Sequence, residues 1–459
     1  MTRDKSFYTS FFKIMILLSL QNLIVLSVGL LDNVMLGDFS EAALSGVSIA
    51  NQIQFIYQNI ISAIGIGVVL FSSQYWGKQK ALGQTKSTTQ EMDRCRDAAS
   101  IGIFICLLSA VLFFIVVSLI PEQLMALFTD DPTYIEEGIK YLGIIRFSYF
   151  AFALSNTIFA ALRSVEVVVI GTIASAVTLG TNGFLNYLLI FGNFGAPRLG
   201  TEGAAAATLI ARTVELCIAL IFSIFFDKRL CYFKHRFHLN QTMLKDYIKT
   251  TYPVFLSNGL WGIFCAVHTG ILGHLGNQAI TANSISNALY QMIFVFTECT
   301  ATSTSIIIGK TIGAGLTDKL REYVKTFQIL FLFIGAAGGI LMFALCDPML
   351  ALYSEISPES LALTRKFILI LAASYFASAY QMPCNCGIVR GGGDTKFVLI
   401  MDLVLCWGYA IPIALLGAFV WDLSPALVFF LTKSDQFIKC IVAFVKTNRF
   451  HWMKYLIQE

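Results

Sequence analysis

Asp32 is a carboxylate set in an apolar run, VGLLDNVMLG. Asn182 and Asn186 stand four residues apart in TLGTNGFLNYLLIFG, and Thr208 follows in another apolar run. An i, i+4 pair shares one face of a helix. A carboxylate, two amides and a hydroxyl supply oxygen donors that suit a hard cation or a proton relay. Two plainer readings stand beside this one. Asp32 can cap a helix end, and the amides and hydroxyl can tie helices together by hydrogen bonds. Later in the chain His268, Glu298 (in FTECTATS) and Asp402, with Trp407 nearby, lie in apolar surroundings. Histidine titrates near neutral pH, so His268 is either a proton carrier or a hydrogen-bonded packing residue. Glu298 could sense protons or a cationic substrate, and Asp402 could line a cavity. Lys433, Asp435 and Lys439 fall near one helix face, as a structural ion pair would.

The elements that position these residues follow from composition. The 459 residues are 56% hydrophobic and 13% charged, about half the ~25% charge of a soluble domain. That excludes a soluble globule, and disorder needs the opposite balance. The chain reads as an all-α, multi-pass membrane protein. A span needs ~20 apolar residues. Twelve stretches qualify: 11–36, 42–76, 98–120, 133–162, 167–192, 203–226, 247–273, 279–313, 326–346, 360–389, 397–420 and 424–446. The first is expected to be a retained helix and not a cleaved signal peptide. A net charge of +4, with no basic arm, gives no sign of a nucleic-acid partner. Eleven scattered cysteines suggest buried thiols and no disulfide framework.

Short basic loops mark the cytoplasmic side. Lys78, Lys80, Lys86, Arg94 and Arg96 fill one loop, and Lys228, Arg229, Lys234, Arg236, Lys245 and Lys249 another. Lys310, Lys319, Arg321 and Lys325, then Arg390 and Lys396, then Lys446, Arg449 and Lys454 continue the series. The alternate loops are acidic, with Asp38, Glu41, Glu122, Asp130, Asp131, Asp347, Glu359 and Asp422. Both termini are therefore expected to be cytoplasmic. Span one then runs outward to Gly37, which puts Asp32 ~8 Å inside the outer edge at 1.5 Å per residue. Span five ends near Gly192 and span six starts near Gly203, so Asn186, Asn182 and Thr208 reach similar depth.

The chain repeats itself. At an offset of 236, Gly37, Ala43, Ser48, Ile49 and Asn51 meet Gly273, Ala279, Ser284, Ile285 and Asn287. PEQLMALFT at 121–129 matches CDPMLALYS at 346–354, and Arg163 matches Arg390. The expected organisation is a six-helix half at 1–226, a cytoplasmic linker at 227–246, and a second six-helix half at 247–459. Transporters are often built from such repeats. His268 is the repeat partner of Asp32.

The stretches LLDNVMLGDFSEAALSGVSIANQ (30–52), SSQYWGK (72–78), NYLLIFGNFGAPRLGTEGAAAAT (186–208) and IVRGGGDTKF (388–397) resemble those of the multidrug and toxin extrusion (MATE) family. The resemblance covers nearly the whole chain. It implies an antiporter of the cell membrane that expels drugs or organic cations in exchange for H⁺ or Na⁺, with Asp32, Asn182 and Thr208 lining the first-half cation site. Asn156 matches a further family pocket position. Many members carry a second Asp where Asn186 stands. The family's second-half carboxylate positions fall on Trp261 and Ala379.

A bound sodium ion gains from each formal negative charge, and this layer has one carboxylate. A proton needs no more than that, so H⁺ is favoured, with Na⁺ at Asp32 the alternative. The expected protein is a monomer with no cofactor and no catalytic residues, taking a small amphipathic or cationic substrate. Tyr57, Phe55 and Tyr290 could offer cation–π surfaces. The rival transport reading, a flippase for a lipid-linked saccharide, would favour a strongly basic interior, and the buried charges here are of mixed sign. A membrane enzyme would need a dense His or acidic cluster, and the five His are dispersed. A structural membrane protein leaves the Asp32 layer without a purpose. RGGGD at 390–394 lacks the GK[ST] ending of a phosphate loop. Cys384 and Cys386, and His235 and His238, form no complete metal set.

Overall fold

The computed structural model describes residues 1–83, 90–232, 241–351, 353 and 357–457, and these contain helices and no strand. His235, His238 and part of the expected linker lie outside the described residues. The first half runs through α1 (Lys5–Phe39), α2 (Glu41–Ala81), α3 (Gln90–Leu119), α4 (Pro121–Ala126), α5 (Pro132–Ile145), α6 (Ser148–Ser164), α7 (Val169–Leu189) and α8 (Thr201–Ile221). The second runs through α9 (Gln241–His274), α10 (Asn277–Gly313), α11 (Thr317–Ala344), α12 (Cys346–Ala351), α13 (Pro358–Met382), α14 (Thr395–Asp402), α15 (Ile411–Phe419), α16 (Pro425–Lys433) and α17 (Asp435–Arg449). Three π-helical stretches continue α8 (Phe222–Phe226), continue α13 (Pro383–Val389) and join α14 to α15 (Leu403–Ala410).

Local sequence explains the punctuation. Ser40 separates α1 from α2, and its hydroxyl accepts from the Ala43 N–H as an N-cap. The matched stretches PEQLMALFT and CDPMLALYS, expected as loops, each open with a short helix, α4 and α12. Span four is broken into α5 and α6, bent by 55°. Among the described residues nine helices are long and apolar enough to cross a membrane, or ten if the bent pair is one span. The twelve expected stretches therefore do not all meet that test. The exceptions are α7, whose 21 residues include Asn182 and Asn186, and the α16–α17 stretch, which breaks at Ser434 among Lys433, Asp435 and Lys439.

The chain packs as two compact units, one of residues 17–251 and the other of 1–16 with 252–459. The borders fall inside α1 and α9. In the first-named unit Tyr247 is fully buried, donates to the Ile64 carbonyl and stacks on Phe71 at 5.7 Å. In the other, Phe7 and Phe11 pack on Phe327 at 4.8 and 5.3 Å. The Thr2 N–H donates to Thr326 Oγ1 at 2.8 Å. The chain end closes the same unit. Trp452 is fully buried, the Lys454 N–H donates to the Gly392 carbonyl, and Lys446 and Lys454 pair with Asp394 at 2.8 and 2.7 Å. A Cβ on Gly392 would run into the Trp452 indole, so the RGGGD turn is the seat of the tail.

Candidate cation site in the first half

Three helices bring Asp32, Asn186, Asn182 and Thr208 into one hydrogen-bonded chain. Asn186 Nδ2 on α7 donates to Asp32 Oδ1 on α1 and, at 3.1 Å, to Asn182 Oδ1. Asn182 Nδ2 donates to Thr208 Oγ1 on α8 at 3.2 Å. The i, i+4 spacing set the first two amides together, as expected. Close packing of α7 and α8 sets the third contact: a Cβ on Gly203 would lie 2.5 Å from the Leu189 carbonyl oxygen. Both asparagines are fully buried, and Asp32 is half-buried.

One atom of this chain is left over. Asn186 Oδ1 is buried with no hydrogen-bond partner. An unmet buried acceptor costs ~1–3 kcal/mol, and a cation or a protonated partner would satisfy it. Tyr141 of α5, beside Gln54 and Thr208, extends the chain. Sequence reading missed it, because a tyrosine in an apolar helix carries no distinguishing signal. Arg212 gives Asp32 no direct salt bridge. It pairs with Glu215 at 2.9 Å and lies 5.1 Å from the Phe152 ring. Asn156 stands apart from the chain, with its Oδ1 against Gly65 of α2.

The second-half candidates do not converge in the same way. His268 is 5% exposed, lies between Phe264 and Phe429, and leaves Nε2 unpaired. Its neighbours there are aromatic rings, and Nε2 lacks the hydrogen bond expected of a packing histidine. Glu298 keeps its side chain accessible on a polar face of α10 that also carries Ser284, Asn287, Gln291 and Thr302. Asp402 is engaged: Lys439 reaches its Oδ1 at 3.0 Å, and the Ser257 hydroxyl donates to its Oδ2 at 2.8 Å. Lys439 also holds Asp435 at 3.2 Å. The expected grouping of Lys433 with these two is corrected: Lys433 lies near the Tyr290 and Phe429 rings, at 6.0 and 5.7 Å. Trp261 stacks on Phe264 at 5.5 Å, and Ala379 packs under Gly335. Among the described residues no group of three or more His, Cys, Asp or Glu could hold a metal ion.

A helical membrane protein with an internal repeat and a carboxylate–amide chain linking α1, α7 and α8 has the build of a transporter. The MatE family model matches residues 18–188 and 253–416, once in each half, and the chain belongs to this family of transporters. It is 24% identical over 397 residues to a probable multidrug resistance protein NorM of Thermotoga maritima, covering 86% of this chain and 82% of that one. It is 25% identical over 434 residues to the uncharacterized transporter YisQ of Bacillus subtilis, covering 93% and 91%. The fold matches the bent form of the Vibrio cholerae MATE transporter VcmN with a TM-score of 0.83 at 18% identity, covering 98% and 99%. A eukaryotic MATE transporter, AtDTX14, matches at 0.81 and 16%, covering 97% and 98%.

Proposed function

We propose that the protein exports small amphipathic or cationic compounds across the cell membrane in exchange for protons taken up at Asp32. The observation that carries this is the hydrogen-bonded chain from Asp32 to Thr208, through the fully buried Asn186 and Asn182, with the spare acceptor Asn186 Oδ1. With Asp32 ionised, Asn186 turns its amide nitrogen toward the carboxylate. With Asp32 protonated, the same amide can rotate and accept through Oδ1. Asn182 and Thr208 then reverse their donors in turn. The protonation state of one carboxyl is thus read by three helices. The family membership and the resemblance to NorM proteins support drug-like substrates. Glu298, on its accessible polar face, is the residue we assign to the substrate's positive charge.

The topology in this reading has twelve spans in two six-helix halves, with α7 and the α16–α17 stretch as two of the spans and both termini in the cytoplasm. The basic loops support that orientation. Rocking of the two halves would supply alternating access, and a monomer suffices for it. The test is substrate efflux from proteoliposomes with proton and sodium gradients imposed separately. Efflux is expected on a proton gradient alone. Efflux driven by sodium at fixed pH, with the proton gradient collapsed, would reject the proton assignment.

A further inference from the structure

The second half contains a cage that already holds a cation. Lys439 Nζ lies 3.0 Å from Asp402 Oδ1, 3.2 Å from Asp435 Oδ2 and 3.0 Å from Cys406 Sγ. The side chains of Lys439 and Asp435 are 4% and 1% exposed, and that of Asp402 is 27% exposed. Neutral donors set both carboxylates. Ser257 donates to Asp402 Oδ2, and Gln436 Nε2 reaches both Asp435 oxygens at 3.1 and 3.0 Å. Gln436 is itself fixed through its Oε1, which accepts from Ser378 at 3.1 Å and Gln381 at 2.9 Å. Asn385 then donates to Gln381 at 2.9 Å. Cys406 and Asn385 both come from π-helical stretches, a departure from regular helix that recurs at functional sites.

We infer that the second half holds a monovalent-cation site whose occupant is the chain's own Lys439 ammonium, so that this half takes no ion from solution. The contrast between the halves supports this. The Asp32 carboxylate meets a neutral amide, and the nearby Arg212 is taken up by Glu215. Asp402 and Asp435 meet a tethered ammonium. Two carboxylates converging on one point repel each other unless a cation lies between them. The Lys439 ammonium on α17 fills that place. The assignment of Asp32 as the exchanging site gives the asymmetry its transport meaning, but the cage can be tested without it.

The test uses the full-length chain carrying Asp32→Asn, which silences the first-half carboxylate whatever its role. Binding of radioactive sodium and melting in sodium against choline chloride are measured with Lys439 intact, with Lys439→Gln, and with Lys439→Gln plus Asp402→Asn. Emptying the cage should let it bind about one additional sodium ion per chain and make its melting temperature rise with sodium. The variant lacking Asp402 as well should lose that gain. Equal sodium binding with and without Lys439 would overturn the proposal. So would an extra ion that survives Asp402→Asn. If Lys439→Gln melts early in choline, recovery in sodium supports the cage, and failure of sodium to restore it counts against the cage. A purely structural ion pair would leave sodium without effect in every variant.

Discussion

At the scale of single residues, the first-half chain rests on one charge and one spare acceptor. Asp32→Asn keeps the volume and a hydrogen-bonding group but removes the titrating oxygen. Export in proteoliposomes is expected to fall at least tenfold, a loss of about 1.4 kcal/mol of coupling or more, while insertion and melting temperature stay near native. Unchanged export at every pH and sodium level would remove Asp32 from the mechanism. Asn186→Asp is the complementary change. It places a second carboxylate against Asp32 and should bring sodium-stimulated export, because each formal charge adds to sodium affinity. An export rate that ignores sodium in this variant would undo the charge-count argument. The contact between Asn182 and Asn186 was legible because i, i+4 residues share one face of a helix. The link from Lys439 to Asp402 was not, since 37 residues separate them and no periodicity joins them. Tyr141 was invisible for a different reason: its neighbours Gln54 and Thr208 come from other helices.

At the scale of elements, the turn at 390–394 and the chain end form one clamp. Trp452→Ala should lower the stability of the solubilised protein by roughly 3–5 kcal/mol, the usual cost of deleting a buried large aromatic. A melting temperature within a degree of native would show that the tail is dispensable. Burial would raise the Asp394 carboxyl, but the hydrogen bonds from Lys446 and Lys454 outweigh it and hold it below the usual carboxylate range. A depressed folded value stabilises above the unfolded one, ~3.9, and the contribution disappears as pH falls through the folded value. The difference in melting between native protein and Asp394→Asn should therefore be largest near neutrality and shrink below about pH 4. A difference that stays constant on acidification would deny the ion pairs any role. Long spans were legible from apolar run length alone. The breaks were not, because the bend at Arg146–Phe147 and the π-helical turns leave hydropathy unchanged while altering hydrogen bonding.

At the scale of the whole molecule, the internal repeat predicts two halves and the alternation of charged loops predicts cytoplasmic termini. The span count was harder, because polar residues and a helix break keep α7 and the α16–α17 stretch from the apolar signal of the others. Cysteines introduced at Gly83 and Glu122, on a cysteine-free background, should react with an impermeant maleimide only from inside and only from outside, respectively. Labelling of the Gly83 position from outside intact cells would invert or break the topology. The borders inside α1 and α9 also carry a message about biogenesis. Phe7 and Phe11 leave the ribosome hundreds of residues before Phe327, the ring they pack against. At ~5–20 residues per second the start of the first helix waits roughly 15–60 s for its partner. Tyr247 likewise reaches Ile64 only after the whole first half has been synthesised. A nascent chain halted between the halves would therefore present an unfinished core at both ends, and its capture by membrane quality control should depend on where translation pauses.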